Sequence, residues 1–407
     1  MTGMKVLLIA AGDRTQAEPI LALARGLGEA GHDAVVAAPS RFASLAVDVG
    51  VEFAGLDDSA FTIRQELGRA GIGGNHSPYL TEPDLEHWLD GLTALTDVAA
   101  DCVVFTRDAL GASSVADRLG VPAIPAQMVP TAPATAAFAA LNAPLWTPRA
   151  LHRWSWSNAD AAPHPWRSVL ARWRIRRLGL RAEDTPFSLL AAERGVLSAW
   201  SRQLLPAPPD WPPSAAPLGF WTLPAEAGPT LPPDVASYLS AGDRPVLIVL
   251  DDLCEPDAIR MARAVAQALR TVHQRGLLVA GRSGLGSGLV TDCLYVVDRI
   301  HLSVAIPRVS AVLHQGGIDA IAAALTAGVP QVVHPTTEAQ RFWADRLLRL
   351  GVAPEPLDRM TPRGLTEALT RSIARTRAAE SLRGRLLGED GIGSAVARLE
   401  RAHVVRG

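Results

Sequence analysis

Two glycines between an apolar strand and an alanine-rich helix form the most chemically suggestive stretch of this sequence. Residues 309–350 read VSAVLHQGGIDAIAAALTAGVPQVVHPTTEAQRFWADRLLRL. Val309–Leu313 suits a buried parallel strand, Gly316-Gly317 a tight turn, and Ile318–Ala327 a helix closed by Gly328. At the carboxyl end of a strand in an open α/β sheet, such a turn presents backbone N–H groups and a positive helix end, which suit a phosphate. His314 and His334 are the neighbouring side chains able to carry positive charge, and Arg282 (in GRSGLG) follows another expected strand. Asp319 falls in the first helical turn, where a carboxylate satisfies the same N–H groups from within the chain. As a cap it is ordinary; beside a phosphate it competes.

The elements that must position these groups alternate along the chain. Lys5–Ala11 reads as a first parallel strand, Gly12–Pro19 as its loop, Ile20–Ala30 as a helix and Asp33–Pro39 as a second strand. This is half of a Rossmann pattern, without a GxGxxG. Arg41–Gly50 and Val51–Leu56 continue the alternation. The polar, glycine-rich Asp57–Pro78 breaks it, and a loop that long in a compact domain is usually functional or mobile. Glu82–Ala100 and Ala112–Leu119 read as helices, Asp101–Thr106 and Pro122–Gln127 as strands. Leu145–Ala192 holds Trp146, Trp154, Trp156, Trp166 and Trp173 among many arginines. It reads either as packing helices with arginines on the wet face or as the wall of an apolar pocket. The proline-rich Leu205–Pro233 reads as a linker. Beyond it, Pro245–Leu250 and Gly276–Ala280 are strands, Val296–Asp298 leads into the 309–350 stretch, and Asp257–Arg275, Thr361–Arg377 and Arg383–Arg401 are helices.

The 407 residues suffice for two domains with sizeable cores. Formal net charge is -2, and Lys5 is the sole lysine, so neither nucleic acid nor an anionic membrane is expected as a partner. Cys102, Cys254 and Cys293 form no CxxC and read as reduced core thiols of a cytoplasmic protein. No apolar run approaches the ~20 residues of a spanning helix.

The segment HQGGIDAIAAALTAGVPQVVHPTTEAQRFWADRL resembles the donor signature of family 1 glycosyltransferases, in the branch that decorates bacterial natural products. That signature runs His-His-Gly-Gly-Ala-Gly-Thr, then Ala-Gly-Val-Pro-Gln, then Pro, three residues, and Asp-Gln. The resemblance implies an α/β fold of the GT-B kind, two Rossmann-like domains facing across a cleft. Residues 1–205 would form the acceptor-side domain, 206–233 the linker and 234–382 the donor-side domain, with 383–407 a terminal helix packing back on the first. It also aligns the family histidine that touches the donor phosphate with Gln315, the small Ala-Gly-Thr run with Ile318-Asp319-Ala320, and the sugar-binding Asp with Ala339; Gln340 is retained. The family's Gly-Ser after the first strand of the second domain becomes Asp251-Asp252. Two unit charges ~4 Å apart at an effective dielectric near 20 repel by about 4 kcal/mol, equal to about three decades of affinity. Those aspartates therefore point away, or a divalent cation bridges them although the family uses no metal, or no nucleoside diphosphate binds.

An acceptor hydroxyl needs a base. The family places it in the loop after the first strand, and here the base position is Gln16, within GDRTQAEP, where Arg14 and Pro19 match. Asp13, Glu18 and His76 are substitutes; the plainer roles for Asp13 and Glu18 are to cap and to begin a helix. Two functions remain open. One is a glycosyltransferase of specialised metabolism with an atypical donor site, moving a sugar from a UDP- or TDP-sugar to a hydrophobic, polyketide-like acceptor with inversion and without a resident cofactor. The other is a GT-B protein that no longer transfers sugar: an auxiliary partner of a true transferase, or a catalyst repurposed with Asp13, Asp251, Asp252, His314 and His334 as acid/base groups. Either is compatible with a homodimer or a partner enzyme.

Overall fold

The computed structural model describes residues 3–57, 82–144, 146–161, 166–223, 231–250, 255–281 and 285–404, without the side chains of 157–161 and 255–257. The chain divides into two compact units, Met1–Leu223 with Asp390–Gly407, and Pro224–Glu389.

In the first unit β1 (Lys5–Ile9), β2 (Asp33–Pro39), β3 (Glu52–Leu56), β4 (Cys102–Thr106), β5 (Ala123–Gln127) and β6 (Leu197–Ser198) form a parallel sheet in the order β3-β2-β1-β4-β5-β6. Helices α1 (Arg14–Glu29), α2 (Ala43–Asp48), α3 (Glu82–Thr93), α4 (Ala112–Leu119), α5 (His152–Ala161), α6 (Arg167–Leu178) and α7 (Phe187–Arg194) accompany it. The apolar strand runs exist because parallel strands are covered on both faces. Leu7, Ile9, Val103 and Phe105 pack with Leu85, Trp88 and Leu89 of α3 and Trp173 of α6 in one core.

Two expectations change here. α1 begins at Arg14 rather than Ile20, because Asp13 caps it and Ala17 N–H already bonds Asp13 O at 3.1 Å. Pro19 lies inside the helix and costs it one backbone bond. The expected linker is also shorter at its start. Trp211, Phe220, Trp221 and Leu223 are buried in the first unit, since large aromatic surfaces gain most from leaving water.

The second unit holds α8 (Pro233–Ser240), β7 (Val246–Val249), α9 (Glu255–Thr271), β8 (Gly276–Val279), β9 (Gly288–Thr291), β10 (Leu294–Val297), α10 (Leu302–Ala305), β11 (Ala311–His314), α11 (Ile318–Ala327), β12 (Gln331–Val333), α12 (Glu338–Arg349), α13 (Pro362–Ile373) and α14 (Thr376–Leu386). Its sheet order is β12-β11-β7-β8-β10-β9, parallel except for the β9–β10 hairpin, which the sequence reading missed. The final helix, α15 (Gly391–Val404), returns to the first unit. There Ile392 lies against Gly26 of α1, Glu400 pairs with His32 at 3.2 Å, and Arg398 donates to the Pro213 and Ser214 carbonyls.

Candidate active site

Each sheet reverses its strand order once beside its first strand, at β1/β4 and at β7/β11. Such a reversal opens a crevice at the carboxyl ends of the strands, where α/β proteins take ligands.

At β7/β11, His314 is the last residue of β11, in register with Val249 of β7. It is 1% exposed and fully engaged. Nδ1 accepts from Gly316 N–H at 3.0 Å, so Nε2 carries the proton and donates to Gln331 Oε1 at 2.8 Å. Burial pushes its pKa down to about 4, the Gln331 bond opposing weakly. His314 is therefore neutral near pH 7, which removes it as the positive charge of a phosphate site. It holds the turn instead. Gly316 has φ +104, and a Cβ there would lie 3.0 Å from Gln340 O and 3.1 Å from Val333 Cγ1. Only glycine suits both the dihedral and the space. Gly317 then caps α11 without any side-chain bond.

Gln315 and Asp319 are buried beside this turn, Asp319 in the first turn of α11. His334 follows β12; its N–H bonds His314 O at 2.9 Å and its Nδ1 lies 2.7 Å from Leu357 O. Gln340 belongs to a capping box. Its Oε1 accepts from Thr336 N–H (2.8 Å), Thr336 O–H (2.9 Å) and Thr337 N–H (3.2 Å), and its own N–H donates to Thr337 Oγ1. Gln340 thus shapes the loop that enters α12.

At β1/β4, Ile9 is in register with Phe105, so the loops after the two strands leave side by side. Ala11 N–H donates to Thr106 Oγ1 at 3.4 Å, and the Arg41 guanidinium donates to Gly12 O. Asp13 accepts from Thr15 N–H at 3.1 Å and Thr15 O–H at 2.5 Å, the work of a helix cap. Glu18 pairs with Arg14 at 2.6 Å within α1. Gln16 sits in the first turn of α1. Asp108, which the sequence reading passed over, belongs to this group. Its carboxyl reaches water yet is crowded by protein. Its pKa is raised, first by lost solvation and then by the Asp13 charge, with Arg107 pulling it down. The sole sequence signal was an Asp two residues past a strand that neighbours β1.

His76, Asp251, Asp252 and Arg282 lie outside the described residues. The tryptophans divide. Trp156 and Trp173 are buried with their N–H groups donating to Phe138 O (3.0 Å) and Thr93 Oγ1 (3.1 Å), so they pack. Trp146 and Trp154 are exposed.

No protein-family model matches the chain. Over 413 residues it is 30% identical to O-mycaminosyltylonolide 6-deoxyallosyltransferase of Streptomyces fradiae, the match covering 95% of this chain and 93% of that protein. The chain belongs to the family 1 glycosyltransferases. Sterol 3-beta-glucosyltransferase UGT80A2 of Arabidopsis thaliana is 26% identical over 97% of this chain, which spans 64% of that relative's length. Among solved structures, glycosyltransferase VinC in complex with dTDP superposes with a TM-score of 0.65 at 19% identity, covering 99% of this chain and 100% of that one. The fold of this glycosyltransferase-like protein is thus the GT-B fold of natural-product glycosyltransferases. Among the described residues, no helix is long and apolar enough to cross a membrane.

Proposed function

We propose that this chain transfers a hexosyl group from a UDP- or TDP-sugar to a hydroxyl of a hydrophobic, polyketide-like acceptor. The observation that carries this reading is the β11–Gly316-Gly317–α11 turn at the reversal of the second sheet, where Gly317, a residue without a side chain, is the N-cap of α11. With the Gly316 N–H held by His314, the Gly317 N–H and the end of α11 are the grip on a diphosphate that needs no cationic side chain. Gln315 and Gln340 line the approach to the donor, and Arg282 is the candidate counter-charge. Acceptor deprotonation falls to the first unit. Asp108 has a raised pKa and no hydrogen bond to its carboxylate among the described residues, which suits a general base. Asp13 supports it electrostatically and keeps its capping bonds. Gln16 in the first turn of α1 orients rather than deprotonates. Inversion follows from a single in-line displacement at the anomeric carbon: the acceptor oxygen bonds that carbon as the diphosphate oxygen leaves with the bonding pair, and the hydroxyl proton passes to the base.

One observation favours a second reading. Around the turn, His314 is neutral, the Gln340 oxygen is occupied and Asp319 adds negative charge. A protein so arranged keeps the scaffold without the transfer, as an auxiliary subunit or a catalyst acting on the acceptor alone. Calorimetry with dTDP and UDP, followed by mass detection of a glycosylated acceptor, separates the two. Saturable nucleotide binding and a hexose mass increment support transfer; nucleotide silence beside binding of a polyketide-like ligand supports the second reading.

A further inference from the structure

The first unit holds a cavity of about 530 Å³ at the edge of its sheet remote from Asp13 and Asp108. It is lined where β4, β5 and β6 begin, by Asp101 and Cys102, by Pro122 and Ile124, and by Val196 and Leu197, and it is closed by α15 through Arg398, Leu399 and His403. The chemical loops leave the opposite ends of the same strands, a strand length (roughly 16 Å for five residues) away. The volume falls in the range of small-molecule sites, roughly 300–1,000 Å³.

Its walls are aliphatic, and its charge is unbalanced. Arg194 makes no ion pair or hydrogen bond among the described residues, although it lines the cavity. Arg398 is half-buried, and its guanidinium donates only to the neutral carbonyls of Ser214 (2.9 Å) and Pro213 (2.7 Å). Burial, together with the nearby Arg401, pushes its pKa down, the mark of a cation without a carboxylate to answer it. The one carboxylate in the lining, Asp101, already accepts the Lys5 N–H at 2.7 Å. A cation left half-desolvated favours any anion that can reach it.

We infer that this cavity binds an amphipathic organic anion, an apolar body between α15 and the strand ends with its acidic head between Arg194 and Arg398. The site is independent of the transfer site and of the reading given above.

Titration calorimetry with decanoate, below its micelle-forming concentrations, tests the inference, with decanol as the neutral comparator. Decanoate binds saturably, one per chain, and decanol about fivefold or more weaker, the worth of one partly exposed ion pair near 1 kcal/mol. Arg194→Ala weakens decanoate towards the level of decanol, leaving only the Arg398 contribution, and leaves the melting temperature of the unliganded protein unchanged, because that side chain makes no ion pair or hydrogen bond among the described residues. Ala402→Trp, at an exposed position on the cavity lining, blocks both ligands while the fold is kept. Equal affinity for acid and alcohol overturns the charge assignment. Decanoate binding that survives Ala402→Trp overturns the location, and no saturable binding at all overturns the site.

Discussion

At the β1/β4 reversal the ionisable group is a carboxyl that touches water and is held above its usual range, while at β7/β11 it is an imidazole sealed from water and held below its own. Lost solvation drives both shifts, since burial disfavours whichever form is charged. The outcomes differ because the neutral forms do different things. A carboxyl raised towards neutrality can exchange protons with an acceptor. A histidine lowered to about 4 cannot serve as a cation, and its two nitrogens hold a backbone turn in shape. In the proposed function, the same topology supplies proton transfer in one unit and a backbone phosphate cradle in the other.

The largest expected effect would break the first half of this comparison. Asp108→Asn lowers kcat by roughly 10² to 10⁴, the worth of a general base, with dTDP affinity unchanged. The acid limb of the wild-type pH–rate profile lies above the ordinary carboxylate range and disappears in the variant. Asp13→Asn retains the cap and costs less; a larger loss there would exchange the two roles. On the donor side, Asp251→Gly with Asp252→Ser raises dTDP affinity by up to about three decades, read by calorimetry. Unchanged affinity would mean that these carboxylates never face the diphosphate.

A pH titration of stability sharpens the second half. The unfolded chain protonates His314 near 6.5 and the folded chain only near 4, so stability is full above pH 6.5 and falls as pH drops towards 4. The loss amounts to roughly 3 kcal/mol. His314→Asn removes that part of the slope in denaturant midpoints measured from pH 7 to 4. The smallest effect is Gln340→Ala, which removes the capping-box acceptor and costs about 1 kcal/mol with little change in dTDP affinity. A loss of affinity far beyond the loss of stability would instead put that oxygen on the sugar.

How much of this was legible in the sequence follows from where the information lies. The β11–turn–α11 unit reads directly, because apolar runs, paired glycines and an alanine-rich helix are local signals, and Ile318–Ala327 is the helix found. The start of α1 was misplaced because Pro19 suggested a loop, whereas the Asp13 cap decides. The role of His314 depends on Gln331, a residue of the next strand whose distance no spacing encodes. Asp108 was missed because its importance comes from strand order: nothing within RDALG says that β4 lies against β1. The hairpin strand Gly288–Thr291 is too short and too exposed to show a period.

The central claim is that backbone geometry at Gly316-Gly317, without a cationic side chain from His314, holds the donor diphosphate. Calorimetric titration of dTDP into the wild-type chain and into Gly316→Ala tests it most directly, because the new Cβ strains the backbone at φ +104 and crowds Gln340 O at 3.0 Å while changing no charge. Saturable binding that Gly316→Ala abolishes in a still-folded protein is the result expected. Equal dTDP binding by both proteins, or none by the wild type, would contradict it.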